Sequence, residues 1–303
     1  MKLEHIAGNT YYINGPTIVG VYIFADRSCL LVDSGPTVEQ ATRILELLEH
    51  NELKVYGIIN THAHADHCAG NKLIQDSSGC KIYASRLERV MLENPLMTLI
   101  GIYSASPLQA LKNRYLLVKP SVVTDIVEPG LVYIKNTAFT ILELSGHSMG
   151  QIGVVTPDNI SFVGDSLISP DILKKHHFLY LADLDKHLKA LDYLEHTEFG
   201  PIFLAHEGRV KDLAHVINYN RTVLESLMSF VLETIAVPKT REQVIQSVIK
   251  KFKLPYTRTQ YFLTLSSISA FLSYLCNTRK AGCNVDDGVM YFYASTKRKR
   301  HSG

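Results

Sequence analysis

Four side chains that commonly bind metal ions lie close together in the run Thr61-His62-Ala63-His64-Ala65-Asp66-His67. A chance cluster of this density is improbable in a chain with 13 histidines. His62 and His64 are two residues apart, so in an extended segment they project to the same side and can share one ion. Asp66 and His67 are offset from them and can serve a second ion. The run therefore predicts a metal site.

Three further candidates follow apolar runs downstream: His147 in Ser-Gly-His-Ser, Asp165 in Val-Gly-Asp-Ser, and His206 in Leu-Ala-His-Glu-Gly. Because each comes at or just past the end of an expected strand, separate strands can deliver these side chains to one point. We expect three side chains on each of two ions, with Asp165 bridging the ions. The first ion takes His62, His64 and His147, and the second takes Asp66, His67 and His206.

Two divalent ions about 3.5–4 Å apart can hold a shared hydroxide at neutral pH, because coordination lowers the pKa of water toward ~7. Such a hydroxide attacks an acyl or phosphoryl centre. One ion then polarises the oxygen of the electrophile while the other steadies the leaving group. Imidazole and carboxylate ligands without thiolate suit zinc, iron or manganese, so the ligand types alone leave the metal open.

The elements that position these residues alternate between strands and helices in the first half of the chain. Apolar, β-branched runs at 18–24 and 29–33 are separated by a hairpin signal at 25–28. Thr37 is typical of an N-cap and precedes an amphipathic helix. The strand expected over 55–59 leads into the histidine run, which places that run on a strand-to-helix loop. The pattern predicts an α/β fold.

The C-terminal part of the chain has a different pattern. Pro238 marks a boundary, and helices are expected at about 241–251 and 259–278. A turn ending in Gly288 and a β-rich run follow. This order predicts a small winged-helix-like module. We therefore divide the chain into a catalytic domain over 1–235, the module over 238–296 and a basic tail over 297–303.

Composition narrows the range of partners. The 303 residues carry a formal net charge of +2, so no global field points to nucleic acid or to an anionic membrane. Five cysteines without a CxxC motif suit a reducing compartment. The longest apolar stretch is too short to cross a bilayer, and the first residues do not form the apolar core of a leader peptide. We expect a cytoplasmic protein with a small-molecule substrate, no membrane association and possible homodimerisation.

Residues 1–235 resemble the metallo-β-lactamase superfamily in its HxHxDH form. Its five signatures occur in order: Asp33 in Leu-Val-Asp-Ser-Gly, the run from His62 to His67, His147, Asp165 and His206. The resemblance implies a four-layer αβ/βα sandwich with the metals at one edge of two sheets, followed here by the small helical module. It also implies that Asp33 has a structural role behind the ligands. In this family zinc is the favoured metal, with iron and manganese as alternatives.

Departures from other branches of the family narrow the activity. Class B β-lactamases have Cys or Ser where this chain has Asp165, and flavodiiron proteins have Glu at the position of His64. Only 40 residues separate Asp165 from His206, too few for the inserted domain of β-CASP nucleases. The chain thus resembles glyoxalase II, lactonases and related thioesterase-like enzymes. The resemblance implies hydrolysis of a small acyl compound, with Asp66 as both ligand and proton shuttle. It also suggests Tyr180 as a contact for a substrate carbonyl.

Three alternatives stay open at this point. A phosphodiesterase or nuclease would use the same ions and the basic run Lys297–Arg300, although the near-neutral charge argues against nucleic acid. An oxidoreductase resembling persulfide dioxygenases would need one iron, held by His62, His147 and Asp165. A DNA-binding regulator with a relic hydrolase domain would not need all seven candidate ligands. Metal content and salt-dependent nucleic-acid binding distinguish these alternatives.

Overall fold

Two β-sheets form the centre of the molecule in the computed structural model, which describes residues 1–176, 178–198 and 200–295. The first sheet has seven strands in sequence order: β1 (Leu3–Ala7), β2 (Thr10–Ile13), β3 (Val19–Ile23), β4 (Ser28–Val32), β5 (Lys54–Ile59), β6 (Lys81–Ala84) and β7 (Asp125–Ile126). Neighbours are antiparallel from β1 to β4 and parallel from β4 to β7. This half of the molecule therefore combines a hairpin meander with the strand–helix alternation expected from the sequence.

The second sheet contains six strands, named β8 (Gly130–Ile134), β9 (Thr137–Glu143), β10 (Ile152–Val155), β11 (Ser161–Phe162), β12 (Ile202–Leu204) and β13 (Gly208–Arg209). Their spatial order is β13-β12-β11-β10-β9-β8. All neighbours are antiparallel except β11 and β12, which are parallel.

Helices cover the outer faces of both sheets. In the first half of the chain they are α1 (Val38–His50), α2 (Ala65–Cys68), α3 (Asn71–Ser78), α4 (Arg86–Glu93) and α5 (Leu96–Tyr103). In the second half they are α6 (Pro170–His176), α7 (Leu184–His196), α8 (Leu213–Thr234), α9 (Arg241–Lys251) and α10 (Arg258–Asn277). Short 3-10 helices lie at Gln109–Leu111 and Gly164–Ser166. The hairpin β14 (Ala281–Asp286) and β15 (Val289–Ala294) follows α10.

The hydrophobic core has three parts, which correspond to the spaces between four layers. Strand β4 shows the arrangement: Leu30 and Val32 point to a cluster shared with the second sheet, whereas Cys29 and Leu31 point to a cluster shared with α1 and α3. A strand with both faces buried has a continuous apolar sequence, as Ser28–Val32 does. The third cluster packs α7 and α8 on the outer face of the second sheet. The expected four-layer αβ/βα sandwich is confirmed.

Local signals set the ends of the helices. The side chain of Thr37 accepts a hydrogen bond from the backbone N–H of Gln40, as the sequence predicted for the N-cap of α1. The long helix α8 begins at Leu213 because Asp212 caps it by accepting from the N–H of His215. The pattern of apolar residues did not predict the N-terminal strands β1 and β2, because both strands are only partly buried.

The C-terminal helices α9 and α10 do not form a separate core. Val244 and Ile245 of α9 and Phe271 of α10 belong to the same buried cluster as Leu191 and Leu224 of α7 and α8. The helices and the hairpin expected for a winged-helix-like module are present. The division of the chain at 235–238 stays a prediction, and residues 296–303, including the basic tail, lie outside the described residues. No helix in the described ranges combines the length and apolarity needed to cross a membrane.

Candidate metal centre

The loops that carry the candidate ligands all leave the ends of strands. The histidine run follows β5, and His64 is the N-cap residue of α2. His147 follows β9, Asp165 lies in the 3-10 helix after β11, and His206 follows β12. The two sheets thus contribute to one edge, as in folds that carry binding residues on loops above a rigid scaffold.

The structure brings all seven candidates together in two groups. Within each group, one potential ligand atom per residue lies within 4.8 Å of the others. The trihistidine group consists of His62, His64 and His147. The mixed group consists of Asp66, His67, Asp165 and His206.

Asp165 faces both groups. Its Oδ2 lies 3.4 Å from Nε2 of His147 in the trihistidine group. Its Oδ1 lies 3.4 Å from Nε2 of His67 and 3.6 Å from Nε2 of His206 in the mixed group. One carboxylate oxygen per group is the arrangement that a bridging ligand requires.

Buried polar atoms without partners show that this donor set fits metal ions. Nε2 of His62, Nε2 of His67 and Oδ1 of Asp165 are buried and make no hydrogen bond. Such atoms are costly to bury unless something satisfies them, because they lose their hydrogen bonds to water. Imidazole nitrogen and carboxylate oxygen are ligands of zinc, iron and manganese. A pair of cations would supply the missing partners.

Two histidine rings are oriented by backbone carbonyls. Nδ1 of His147 donates to the carbonyl oxygen of Tyr180 at 3.0 Å, and Nδ1 of His206 donates to that of Pro16 at 2.8 Å. A carbonyl can only accept, so each contact places a proton on Nδ1, and in the neutral ring of His147 this leaves the lone pair on Nε2. Hydrogen bonds of this kind fix the tautomer of metal-binding histidines. Nε2 of His147 then accepts from Nδ1 of His64 at 2.9 Å.

Asp33 orients His67 from behind. Its Oδ2 accepts from Nδ1 of His67 and from Oγ1 of Thr61, both at 2.8 Å, and its Oδ1 accepts from the Thr61 N–H at 2.8 Å. Asp33 is buried and has a positive φ of 64°, an uncommon conformation for a residue other than glycine. Its position behind the ligands agrees with the structural role that the resemblance implied.

Glu88 is a residue that the sequence analysis missed. It is fully buried on α4, and its Oε2 accepts from the N–H of Ala63 at 2.8 Å, between His62 and His64. Its Oε1 accepts from Oγ of Ser148 at 2.6 Å, next to His147, and from the N–H of Gly150 at 2.9 Å. One carboxylate therefore joins the two loops that carry the trihistidine group.

Glycines precede two of the candidate ligands for steric reasons. Gly146 has a φ of +137°, and a Cβ atom there would lie 2.4 Å from the backbone of His187 on α7. Gly164 has a φ of +55°, and a Cβ there would lie 2.9 Å from Oγ1 of Thr61. Side chains at these positions would displace the loops, so glycine allows His147 and Asp165 to approach the centre.

The electrostatics of the two groups differ. Burial lowers the pKa of His147 to about 3, so its ring is neutral at pH 7. Burial also disfavours charge on His206, but the neighbouring carboxylates of Asp165 and Asp66, 3.6 and 3.3 Å from its Nε2, outweigh burial and raise the pKa of His206 to about 10. Burial opposes ionisation of Asp66, but the charge on His67 and the hydrogen bond from His206 lower its pKa to about 2. The mixed group thus carries carboxylates that attract cations.

A cavity of about 240 Å³ opens onto both groups. His64 and His147 of the trihistidine group, and Asp66 and Asp165 of the mixed group, line it together with Tyr180. The Tyr180 ring lies 5.3 Å from that of His64, and its hydroxyl lies 3.4 Å from Oγ of Ser266 on α10. Burial raises the pKa of Tyr180, so its hydroxyl keeps its proton.

The fold and the two groups define a metal-binding αβ/βα sandwich protein. The family model of the metallo-beta-lactamase superfamily matches residues 14–206, which is more than half of the chain. The chain belongs to the metallo-beta-lactamase superfamily, as its sequence signatures indicated.

Several curated relatives carry the name hydroxyacylglutathione hydrolase. The protein of that name from Vibrio campbellii is 28% identical over 193 residues, which are 64% of this chain and 62% of the relative. Hydroxyacylglutathione hydrolase 1 of Vibrio vulnificus is 24% identical over 229 residues, 73% of this chain and 76% of the relative. The chain therefore spans less than two thirds of the length of the first of these relatives.

Solved structures show the same fold over nearly the whole chain. A beta-lactamase domain protein from Burkholderia ambifaria has a TM-score of 0.76 at 16% identity, covering 97% of this chain and 93% of that one. A metallo-beta-lactamase family protein from Thermus thermophilus has a TM-score of 0.71 at 18% identity, covering 95% of this chain and 99% of that one. The likeness includes the C-terminal helices, because it extends well beyond residue 235.

Proposed function

We propose that this protein is a metal-dependent hydrolase that uses two divalent ions to cleave a small acyl compound, a thioester or a lactone. The observation that carries the proposal is the position of Asp165, which turns one carboxylate oxygen to each group. The donors are imidazoles and carboxylates without thiolate, which suit zinc, iron and manganese. Among these metals we favour zinc because the family resemblance implies it. The names of the curated relatives support the thioester class.

The seven residues of the two groups would hold the ions. When bound, such ions lower the pKa of water toward ~7 and polarise the oxygen of the scissile carbonyl. The protein's own contribution is to position them. Asp33 and the two backbone carbonyls fix three imidazoles, and Asp165 links the groups.

Asp66 is the residue we assign to proton transfer. Its side chain is 44% exposed and lines the cavity, and its Oδ2 lies 3.3 Å from Nε2 of His206. It is the most accessible carboxylate among the candidate ligands. Because its pKa of about 2 leaves it ionised at pH 7, it can accept a proton and pass it to a leaving group in the cavity.

Tyr180 is the polar group we assign to the substrate. Its protonated hydroxyl can donate to a substrate carbonyl oxygen, in exchange for its contact with Ser266. The phosphodiesterase alternative has less support, because none of the residues that line the described cavity is Lys or Arg. Phosphate recognition normally requires such cations.

Metal analysis combined with a substrate panel tests the proposal. Purified protein should contain two divalent ions per chain and hydrolyse thioesters or lactones. Asp66→Asn should abolish turnover, whereas the control Asp76→Asn, an exposed residue paired with Lys72 on α3, should not. One iron per chain with oxygen uptake would favour the oxidoreductase instead. Failure to hydrolyse any thioester or lactone by the metal-loaded protein would exclude the proposed substrate class.

A further inference from the structure

The walls of the cavity away from the metal centre are uncharged. They are formed by Thr98 and Ile102 of α5, Tyr115 and Leu116 of the following loop, and Leu263 of α10, together with Ala65 beside His64. The four charged or ionisable residues in the lining, apart from the two tyrosines, all belong to the metal groups. Away from the metal groups, the side chains that line the cavity are therefore either apolar or carry only a hydroxyl as a polar group.

The lining of this cavity contains no Lys or Arg, so it offers no cation to pair with a charged leaving group or a charged acyl group. A glutathione thioester carries two carboxylates, and burying a carboxylate without a partner costs several kcal/mol or shifts its pKa. Arg114 is next to the cavity, where it donates to the hydroxyl of Tyr115 at 3.1 Å, but it is exposed and does not line the cavity. As a cation adjacent in sequence to the lining residue Tyr115, it could bind a charged group outside the cavity.

We infer that the cavity selects thioesters or lactones whose acyl part is an uncharged apolar chain of about four to eight carbons, an inference that rests on the proposed function. The volume of about 240 Å³ lies below the ~300–1,000 Å³ of sites for drug-sized ligands. At ~30 Å³ per water-sized group, it holds about eight such groups, including the reacting carbonyl. The apolar walls stabilise methylenes rather than hydroxyls or charges.

The C-terminal helix α10 takes part in this selection. Leu263 lines the cavity, Phe262 packs against Tyr103 of α5 with ring centroids 5.1 Å apart, and Ser266 contacts Tyr180. The helix thus lines the cavity through Leu263 and contacts α5 and Tyr180, which form other parts of the lining. Its position gives the C-terminal module a role in substrate specificity.

A series of acyl thioesters with one neutral thiol, N-acetylcysteamine, tests the inference. From acetyl to octanoyl, kcat/KM should rise about fourfold per added methylene, the factor that corresponds to ~0.8 kcal/mol. Lactoylglutathione should be a poorer substrate than hexanoyl-N-acetylcysteamine. Equal rates along the series would overturn the inference, as would a preference for lactoylglutathione that Arg114→Ala removes.

Binding of the free acids separates this inference from the proposed function. If neither thioesters nor lactones are hydrolysed, the proposed reaction fails, but calorimetry with butanoate, hexanoate and octanoate still measures the acyl pocket. Affinity should increase with chain length and should be lower for lactate. No dependence on chain length would contradict the inference whatever the reaction is.

A matched pair of variants locates the pocket. Leu116→Asp places a carboxylate in the wall, and kcat/KM for octanoyl thioester should fall at least tenfold more than for acetyl thioester, since about 1–3 kcal/mol is the usual range for apolar contacts in a pocket. Leu108→Asp, in the same segment but exposed and outside the lining, should leave the ratio unchanged. Equal ratios in both variants would refute the assignment of the wall.

Discussion

The trihistidine group and the mixed group lie side by side but differ in exposure and charge. In the trihistidine group, His62 is fully buried, His147 is nearly so, and no carboxylate belongs to the group. In the mixed group, Asp66 is 44% exposed and His206 is 24% exposed. The comparison indicates that the mixed group is the more exposed of the two, although residues of both groups line the cavity.

Each group also has its own buried carboxylate behind it. Glu88 accepts hydrogen bonds from the N–H of Ala63, next to His62, and from Oγ of Ser148, next to His147. Asp33 accepts a hydrogen bond from Nδ1 of His67. The two carboxylates belong to different elements, α4 and the end of β4. The groups can therefore be perturbed separately, and Asp165 is the residue common to both.

Asp165→Ala should have the largest effect, because it removes both carboxylate oxygens, one of which faces each group. We expect kcat/KM to fall at least about a thousandfold, as for other residues that act as a unit in catalysis, and metal content to fall at both positions. The control is Asp171→Ala, an exposed residue on α6 that pairs with Lys174. Full metal content with retained activity in Asp165→Ala would contradict the bridging role.

His62→Ala and His206→Ala should separate the two positions. Each variant loses one ligand, so each should bind one ion per chain instead of two, measured by equilibrium dialysis and elemental analysis. The ion that remains in His206→Ala should exchange more slowly with a chelator, because the trihistidine group is the more buried. Equal exchange rates in the two variants would contradict the distinction between a more buried and a more exposed group.

Glu88 variants should weaken the trihistidine group specifically. Substitution of residues that support metal ligands typically costs about 10–100-fold in metal affinity or activity, and we expect Glu88→Ala to fall in this range. Glu88→Gln keeps one acceptor for Ser148 and Gly150 but loses the acceptor for the Ala63 N–H, so its effect should be intermediate. Cobalt-substituted protein gives a spectroscopic readout. An unchanged cobalt spectrum in both variants would contradict this role.

Asp33→Asn should act on the mixed group instead. The amide cannot accept all three hydrogen bonds from His67 and Thr61 that the carboxylate accepts. We expect a loss of metal affinity of about tenfold at the mixed group and little change at the trihistidine group. If Asp33→Asn and Glu88→Gln impaired the same ion, the two groups would not be independently supported.

The seven candidate ligands could be predicted because metal chemistry restricts residue types and because His62 to His67 are contiguous. Glu88 could not, since Ser85 three residues before it forms the sequence pattern of a capping box, in which the glutamate is normally exposed. Ser85 does cap α4, but Glu88 turns inward. The residues of the cavity wall could not be predicted either. Ile102 and Leu263 lie on helices, and the helical spacing of apolar residues is the same whether they pack in a core or line a pocket.

Thr240→Ala should have the smallest effect and tests whether the C-terminal module influences the metal groups. Thr240 and Gln243 form a capping box at the start of α9. Loss of such a cap costs about 1 kcal/mol of the free energy of unfolding, measurable by denaturant titration. Because α9 packs mainly on α8, α10 and β15 and carries none of the candidate ligands, both metal affinities should stay unchanged. A change in the affinity of either group would show that the module and the metal centre are energetically coupled, and the comparison would then have to include α9 and α10.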